Sequence, residues 1–286
     1  MNYGVIDIGS NSVRLLVQKN GLTTFKTAII TKLAEGMNDS RVLTNKSIER
    51  TANAVLFLYN KAIEERLDFI YIFATAAVRT STNKDVFIGK IKQLTGVEID
   101  VVSGELEGKL GHLGVFNGRD GGIIDIGGAS SEITVYSNGK LVYSKSLPIG
   151  AVNLTNKFGQ DGVKIQSYVK NLVKEYGVVP KTEFKTIGGT ACNVCSVFLK
   201  LTEFDSKLVD NYIINKDRLA SLCDMLNTTS VEERENIVGL QKQRAVNFLS
   251  GTIILNEIMC FLGIDSVSHS EKDNLEGYLI YKMEKL

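Results

Sequence analysis

Cysteine, histidine and proline are scarce in this chain of 286 residues, and each shortage narrows what the protein can be. Four cysteines are too few for a disulfide scaffold of this length, so a reduced, cytoplasmic setting is the expectation. Cys192 and Cys195 form a C-x-x-C, "CNVC". No second cysteine pair follows at ribbon spacing, and only His112 and His269 are available, so a Cys/His zinc site is poorly supplied. The pair reads as two small apolar residues on one helix face, reduced and metal-free. With only Pro148 and Pro180 and no low-complexity linker, successive parts of the chain should pack closely. No run of 18 or more apolar residues occurs, and Asp7 and Arg14 interrupt the apolar start, so neither a membrane span nor a signal peptide is expected. The net charge of +1 lacks the imbalance of a nucleic-acid coat or a polybasic anchor. Hydrophobic residues at 44% and charged residues at 23% fit a globular chain with one large or two ordinary domains.

What is present is a repeat. "DIGSNSVRLLVQKNG" at 7–21 and "DIGGASSEITVYSNG" at 125–139 align at a constant offset of 118 residues. Asp7/Asp125, Gly9/Gly127, Ser12/Ser130, Val17/Val135, Asn20/Asn138 and Gly21/Gly139 all match. Strand patterns at 2–7, 12–18 and 23–31 predict a meander, which restarts at 122–127, 131–137 and 140–147. Helical spacing covers 44–66, 84–95, 104–116, 151–158, 161–176 and a stretch from Thr190, with strands at "FIYIFAT", "VEIDVVS" and "FKTIG". The tail reads as mostly helical, with a capping box at Ser230 and Glu233 and an amphipathic stretch over 242–262. "NGRDGG" at 117–122 is the strongest turn cluster and marks a boundary. The expected organisation is α/β: two duplicated domains, 1–118 and 119–286, with a cleft between them.

In each repeat an Asp ends a buried strand, a Gly lets the chain turn, and small polar residues follow. Such a turn makes a concave anion site. An Asp beside it makes sense if a divalent cation lies between, since Mg²⁺ prefers a few carboxylates with water and phosphate oxygens. Two facing hairpins could grip a phosphate chain. "TIGGTACN" (186–193) adds a Gly-Gly turn before a helix N-terminus, also suited to phosphate. Glu105 and Glu107 open the helix at 104, where acids suit the helix dipole.

The motifs "IDIGSNSVRLL" (6–16), "ATAAVRTSTN" (74–83), "VVSGELEGKLGHLGV" (101–115), "IDIGGASSEI" (124–133), "SLPIGAVNLTNKF" (146–158) and "GGTACN" (188–193) span the first two-thirds of the chain. In that order they resemble the exopolyphosphatase / guanosine pentaphosphate phosphohydrolase family of the actin, sugar-kinase and heat-shock-chaperone ATPase superfamily. The resemblance implies two ribonuclease-H-like domains and a C-terminal helix (271–286) that packs back on the first. It implies Mg²⁺ or another divalent cation at Asp7 and Asp125, and Glu107 as the base that activates water. Glu132 would lie beside the reacting phosphate, and Arg79, aided by Asn83, would steady that phosphate. Gly9, Ser10, Asn11, Ser12, Gly127, Gly128, Ser130 and Ser131 would contact phosphate chiefly through backbone amides, joined by Gly188, Gly189 and Thr190. The implied reaction is hydrolysis of a terminal phosphoanhydride, with polyphosphate the first substrate and guanosine pentaphosphate the second. No nucleic-acid or membrane partner is implied, and a homodimer is left open.

The chain departs from the family pattern at Ala129 (a Gly in D-I-G-G-G-S), Leu106 (an acid), Asn153 (an Arg) and Leu275, where "DNLEG" lacks the Arg of L-R-E-G. If position 129 needs positive φ, the alanine costs about 1 kcal/mol. The missing arginines put processive grip on a long polyanion in question and keep a non-hydrolysing nucleotide or alarmone sensor as the alternative. A phosphotransferase shares the fold, but no residue set dedicated to a sugar or acid acceptor is found.

Overall fold

The computed structural model describes residues 1–37 and 40–284. The chain runs β1 (Asn2–Ile8), β2 (Ser12–Lys19), β3 (Leu22–Ile30), α1 (Asn45–Glu64), β4 (Phe69–Ala74), α2 (Ala76–Thr80), α3 (Lys84–Thr95), β5 (Ile99–Val101) and α4 (Gly104–Phe116). It continues as β6 (Gly121–Ile126), β7 (Ser131–Ser137), β8 (Lys140–Leu147), α5 (Ala151–Phe158), α6 (Gly162–Leu172), β9 (Phe184–Ile187), α7 (Gly188–Leu199) and α8 (Ser206–Val209). β10 (Ile213–Asn215), α9 (Lys216–Thr228), α10 (Val231–Arg234), α11 (Ala245–Leu262), β11 (Ser266–His269) and α12 (Asn274–Met283) complete it.

Two mixed sheets result, ordered β3-β2-β1-β4-β5 and β10-β11-β9-β6-β7-β8. β1 and β6 are the central strands, each antiparallel to the next strand in sequence and parallel to β4 or β9. Paired on both sides, β1 reads as a nearly continuous apolar run. The duplication reaches the hydrogen bonds. Gly9 N–H donates to the Ser12 carbonyl and Gly127 N–H to that of Ser130, each at 2.9 Å. Both second strands shift register at the equivalent place, after Val17 and after Val135. Both hairpins then turn through Asn-Gly pairs at positive φ, Asn20–Gly21 and Asn138–Gly139, the geometry that suits strand twist.

α4 ends the segment ahead of the expected boundary, yet it packs on β6, β7 and β8 and most extensively on α12. α12 in turn lies against β1 and β2. Tyr3, Val5, Leu16 and Phe73 of the first sheet therefore share a small core with Leu110 of α4 and Leu275, Tyr278 and Leu279 of α12. The two helices cross with their backbones in contact. A Cβ on Gly277 would stand 1.7 Å from the Leu110 carbonyl oxygen, and one on Gly114 2.0 Å from that of Asp273.

Several expectations needed correction. The helix expected from Thr190 begins at Gly188, whose φ of 82° a glycine accepts without strain. The 161–176 helix becomes α6 and a 3₁₀ turn over Val173–Tyr176. The stretch expected to be amphipathic at 242–262 is instead the central helix of the second core, buried without interruption from Asn247 to Met259. It is long and apolar enough to cross a membrane, but most of it is enclosed within the fold. The tail also contains two strands, β10 and β11, of three and four residues, too short to show a period. The capping box at Ser230 and Glu233 is present.

Candidate active site

The turns after β1 and β6 meet at one cleft of about 1590 Å³, whose walls include Asp7, Ser10, Glu107, Asp125 and the Gly188–Gly189 turn. The loops touch: a Cβ on Gly128 would come within 2.7 Å of the Ser10 Cβ. Their carbonyls are taken up by the protein's own backbone. Those of Ser10 and Asn11 accept from residues 31–34, and those of Gly127 and Gly128 accept from the first residues of α5. Gly9 and Gly127 spend their own N–H groups inside the turns, which removes two of the amides expected to bind phosphate.

The repeat is broken at one informative place. Hairpin register sets Arg14 opposite Asp7 and Glu132 opposite Asp125. In the first copy this makes an ion pair: Arg14 Nε donates to Asp7 Oδ2 at 3.0 Å, and Arg14 Nη1 reaches Asp273. In the second copy it sets two carboxylates side by side, which is unfavourable unless a proton or cation intervenes. The charge states follow. Burial, with Glu107 adding to it, pushes Asp125 up to about 7 against the pull of Arg14. Burial, Glu107 and Asp125 hold Glu132 well above the usual carboxylate range. Glu107 and Asp7 are raised by burial against the opposing effects of Arg79 and Arg14 respectively. At Asp273 burial pushes up, but Arg14 and Lys26 outweigh it and bring the carboxyl down to about 2.

Glu107 sits in the first turn of α4, whose N-cap Ser103 accepts from Leu106 N–H. Its Oε2 takes a 2.8 Å hydrogen bond from Arg79 Nη1, which also donates to the Val102 carbonyl at 2.9 Å. Arg79, expected on the transferred phosphate, is thus placed on Glu107. Asn83, expected to help it, instead brackets the backbone of Leu43 with both amide atoms. Ser131 is fully buried, with its hydroxyl 2.8 Å from that of Tyr176. Glu132 is buried and accepts from Ser146 Oγ at 2.6 Å. Ser12, Ser130 and Thr190 line the cleft.

The departures take local roles. Ala129 does not have positive φ, so the alanine carries no backbone strain. Asn153 donates to the Ala129 carbonyl at 2.9 Å and braces the second turn. Leu275 is core.

Sequence reading missed Arg14, Lys26, Asp273 and Arg244. Arg14 was detectable as a cation in the apolar half of a strand in hairpin register with Asp7. Asp273 was detectable as the start of a second capping box with Glu276. Lys26 reaches Asp273 and Glu276 at 3.2 Å from β3. Arg244 lies against Gly189, where a Cβ would meet its Nη1 at 2.4 Å. Among the described residues no carboxylate pairs with Arg244, and no local pattern announces it.

The donor set fits a hard divalent cation. Asp7 Oδ1, Asn11 Oδ1 and Asn274 Oδ1 are buried acceptors without a hydrogen-bond partner, and Asp125 holds Asn274 Nδ2 at 3.1 Å.

The sequence model of the Ppx/GppA phosphatase family matches residues 17–286. The bifunctional 3-dehydroquinate synthase/phosphatase of Fusobacterium nucleatum is 34% identical, over 98% of this chain and 46% of that protein. The guanosine-5'-triphosphate,3'-diphosphate pyrophosphatase of Aliivibrio fischeri strain MJ11 is 28% identical, over 93% of this chain and 56% of that protein. The chain therefore spans about half the length of these curated relatives. The structure of the Aquifex aeolicus PPX-GPPA enzyme superposes with a TM-score of 0.80 at 25% identity, over 98% of this chain and 99% of that one. With the five-strand order 3-2-1-4-5 and its duplicate, the fold is the two-sheet α/β architecture shared with that enzyme, and the chain belongs to the Ppx/GppA phosphatase family.

Proposed function

We propose that the protein is a Mg²⁺-dependent phosphohydrolase of terminal phosphoanhydrides, acting on inorganic polyphosphate or guanosine pentaphosphate in the cytoplasm. The observation that carries this reading is Glu107. It is a carboxylate on the cleft wall, raised above its ordinary value by burial, with Arg79 and the Thr75 side chain hydrogen-bonded to it. A carboxylate with its proton affinity raised in this way suits the acceptance of a proton from water, since a base works best with a pKa near the operating pH. Arg79 is a positioning residue: it fixes the carboxylate and keeps it from being fully neutralised by burial.

Asp7, Asn11, Asp125 and Asn274 would hold the cation, which supplies charge neutralisation to the phosphate oxygens when bound. The remaining amides and hydroxyls of Ser10, Asn11, Ser12, Gly128 and Ser130 orient the terminal phosphate. Arg244, uncommitted to any carboxylate and beside Gly189, offers charge to the rest of the substrate. Glu132 keeps a proton at the cluster until the cation binds.

A sensor that binds without turnover is the alternative, supported by the lack of arginine at Asn153 and Leu275. Phosphate release from polyphosphate, guanosine pentaphosphate and nucleoside triphosphates, with Mg²⁺ and with chelator, separates the two. Cation-dependent release from either of the first two supports the hydrolase. Tight binding of one of them without release supports the sensor.

A further inference from the structure

The CNVC pair divides in the structure. Cys195 is buried in the second core, whereas Cys192, one turn earlier on α7, faces the cleft. There it meets His269 at the end of β11 and Glu271 in the connection to α12. The Cys192 sulfur, a His269 ring nitrogen and a Glu271 carboxylate oxygen all lie within 4.8 Å of one another. His269 Nε2 and Glu271 Oε1 are 2.9 Å apart.

We propose that Cys192, His269 and Glu271 form a site for a thiophilic divalent cation of the zinc class, with its fourth position open to the cleft. Ligand atoms about 2.0–2.3 Å from a tetrahedral zinc lie about 3–4 Å from one another, so the three atoms need only small movements to close on an ion. The donors are sulfur, nitrogen and oxygen, unlike the all-oxygen set around Asp7 and Asp125, so the two sites select different metals. Open coordination with three protein ligands is the pattern of zinc sites that keep a place for water or a substrate oxygen.

The surroundings hold the ligands in place. His269 is buried, and its Nδ1 lies 3.5 Å from Thr186 Oγ1, the outer partner that fixes a ligating ring. Glu271 is anchored by its backbone: its N–H donates to Asp210 Oδ1 at 3.0 Å and its carbonyl accepts from Lys26 Nζ at 2.6 Å. Without an ion, burial and Glu271 keep the Cys192 thiol protonated. Binding forms the sulfur–metal bond and releases that proton to water. The ion would tie the 269–273 connection, which delivers Asp273 to Arg14, to helix α7. The site stands on its own geometry and not on the hydrolase reading.

Titration of the metal-free protein with Co²⁺ tests it. One equivalent should give tetrahedral visible bands and a thiolate-to-cobalt charge-transfer band, both displaced by Zn²⁺. Cys192→Ser should lose the charge-transfer band, Glu271→Gln should weaken binding at least about tenfold, and Cys195→Ala and Cys260→Ala should retain both. In the unmodified protein, Zn²⁺ should slow alkylation of Cys192, read by mass spectrometry, while exposed Cys260 stays reactive. No charge-transfer band in the parent, its persistence in Cys192→Ser, or unprotected alkylation of Cys192 would overturn the proposal. Mg²⁺ affinity should be unchanged in Cys192→Ser, which keeps this result separate from the fate of the phosphohydrolase reading.

Discussion

In the ion-free protein Asp125 holds its proton up to about pH 7, against an ordinary carboxylate value of 3.8. A cation at this carboxylate must displace that proton. With a pKa of about 7, Asp125 is about 90% protonated at pH 6 and about 10% at pH 8, so the apparent Mg²⁺ affinity should rise about tenfold between them. Glu107 and Glu132, also raised by burial, add to the effect. The sign for stability is fixed by the same shift. A raised carboxyl pKa stabilises the ion-free fold below about pH 3.8 and loses that contribution as pH climbs through about 7. Mg²⁺ should therefore raise the melting temperature more at pH 8 than at pH 6. Calorimetric titration in buffers of different ionisation enthalpy counts the protons released: at least about one per Mg²⁺ at pH 6 and fewer at pH 8, with the pH dependence flattened in Asp125→Asn. Equal Mg²⁺ affinity at both pH values with no proton release would refute this charge assignment.

Other perturbations address the scaffold. Gly277→Ala puts a methyl 1.7 Å from a helix carbonyl that cannot rotate away, so thermal unfolding should show a loss at or above the usual overpacking cost of about 1–3 kcal/mol. Arg14→Met leaves Asp7 and Asp273 enclosed without their shared cation; denaturant titration should show a loss of about 3–5 kcal/mol. Ala129→Gly should not improve phosphate binding or stability, because position 129 does not need positive φ. A gain in either would show that the turn is strained.

The repeat made the fold readable. A constant offset of 118 residues over a strand, turn and strand implies the same hairpin twice, and the structure repeats it down to the Asn-Gly turns. α3, β7 and α5 lie where their patterns placed them, because each has a full amphipathic or alternating period. β10, β11 and the environment of α11 were hidden for the opposite reason. Two strands are shorter than one reliable period, and a helix buried on all sides carries no polar face to register against. At the site, motif matching found the carboxylates but not their partners. The pairing of Arg79 with Glu107 at 2.8 Å joins residues 28 positions apart and leaves no trace in the sequence. The Ser131 hydroxyl meets Tyr176, 45 residues away, a contact that no local pattern announces.

The most direct test of the account is the rate of phosphate release by Glu107→Gln, with substrate affinity measured in parallel. The substitution keeps size and hydrogen bonding but removes the basic oxygen. Loss of a general base lowers kcat by about 10²–10⁴-fold, and binding should change little. Glu105→Gln, on the exposed side of the same helical turn, should behave as the parent does. If Glu107→Gln releases phosphate from polyphosphate and guanosine pentaphosphate as fast as the parent, Glu107 is not the base and the central claim fails.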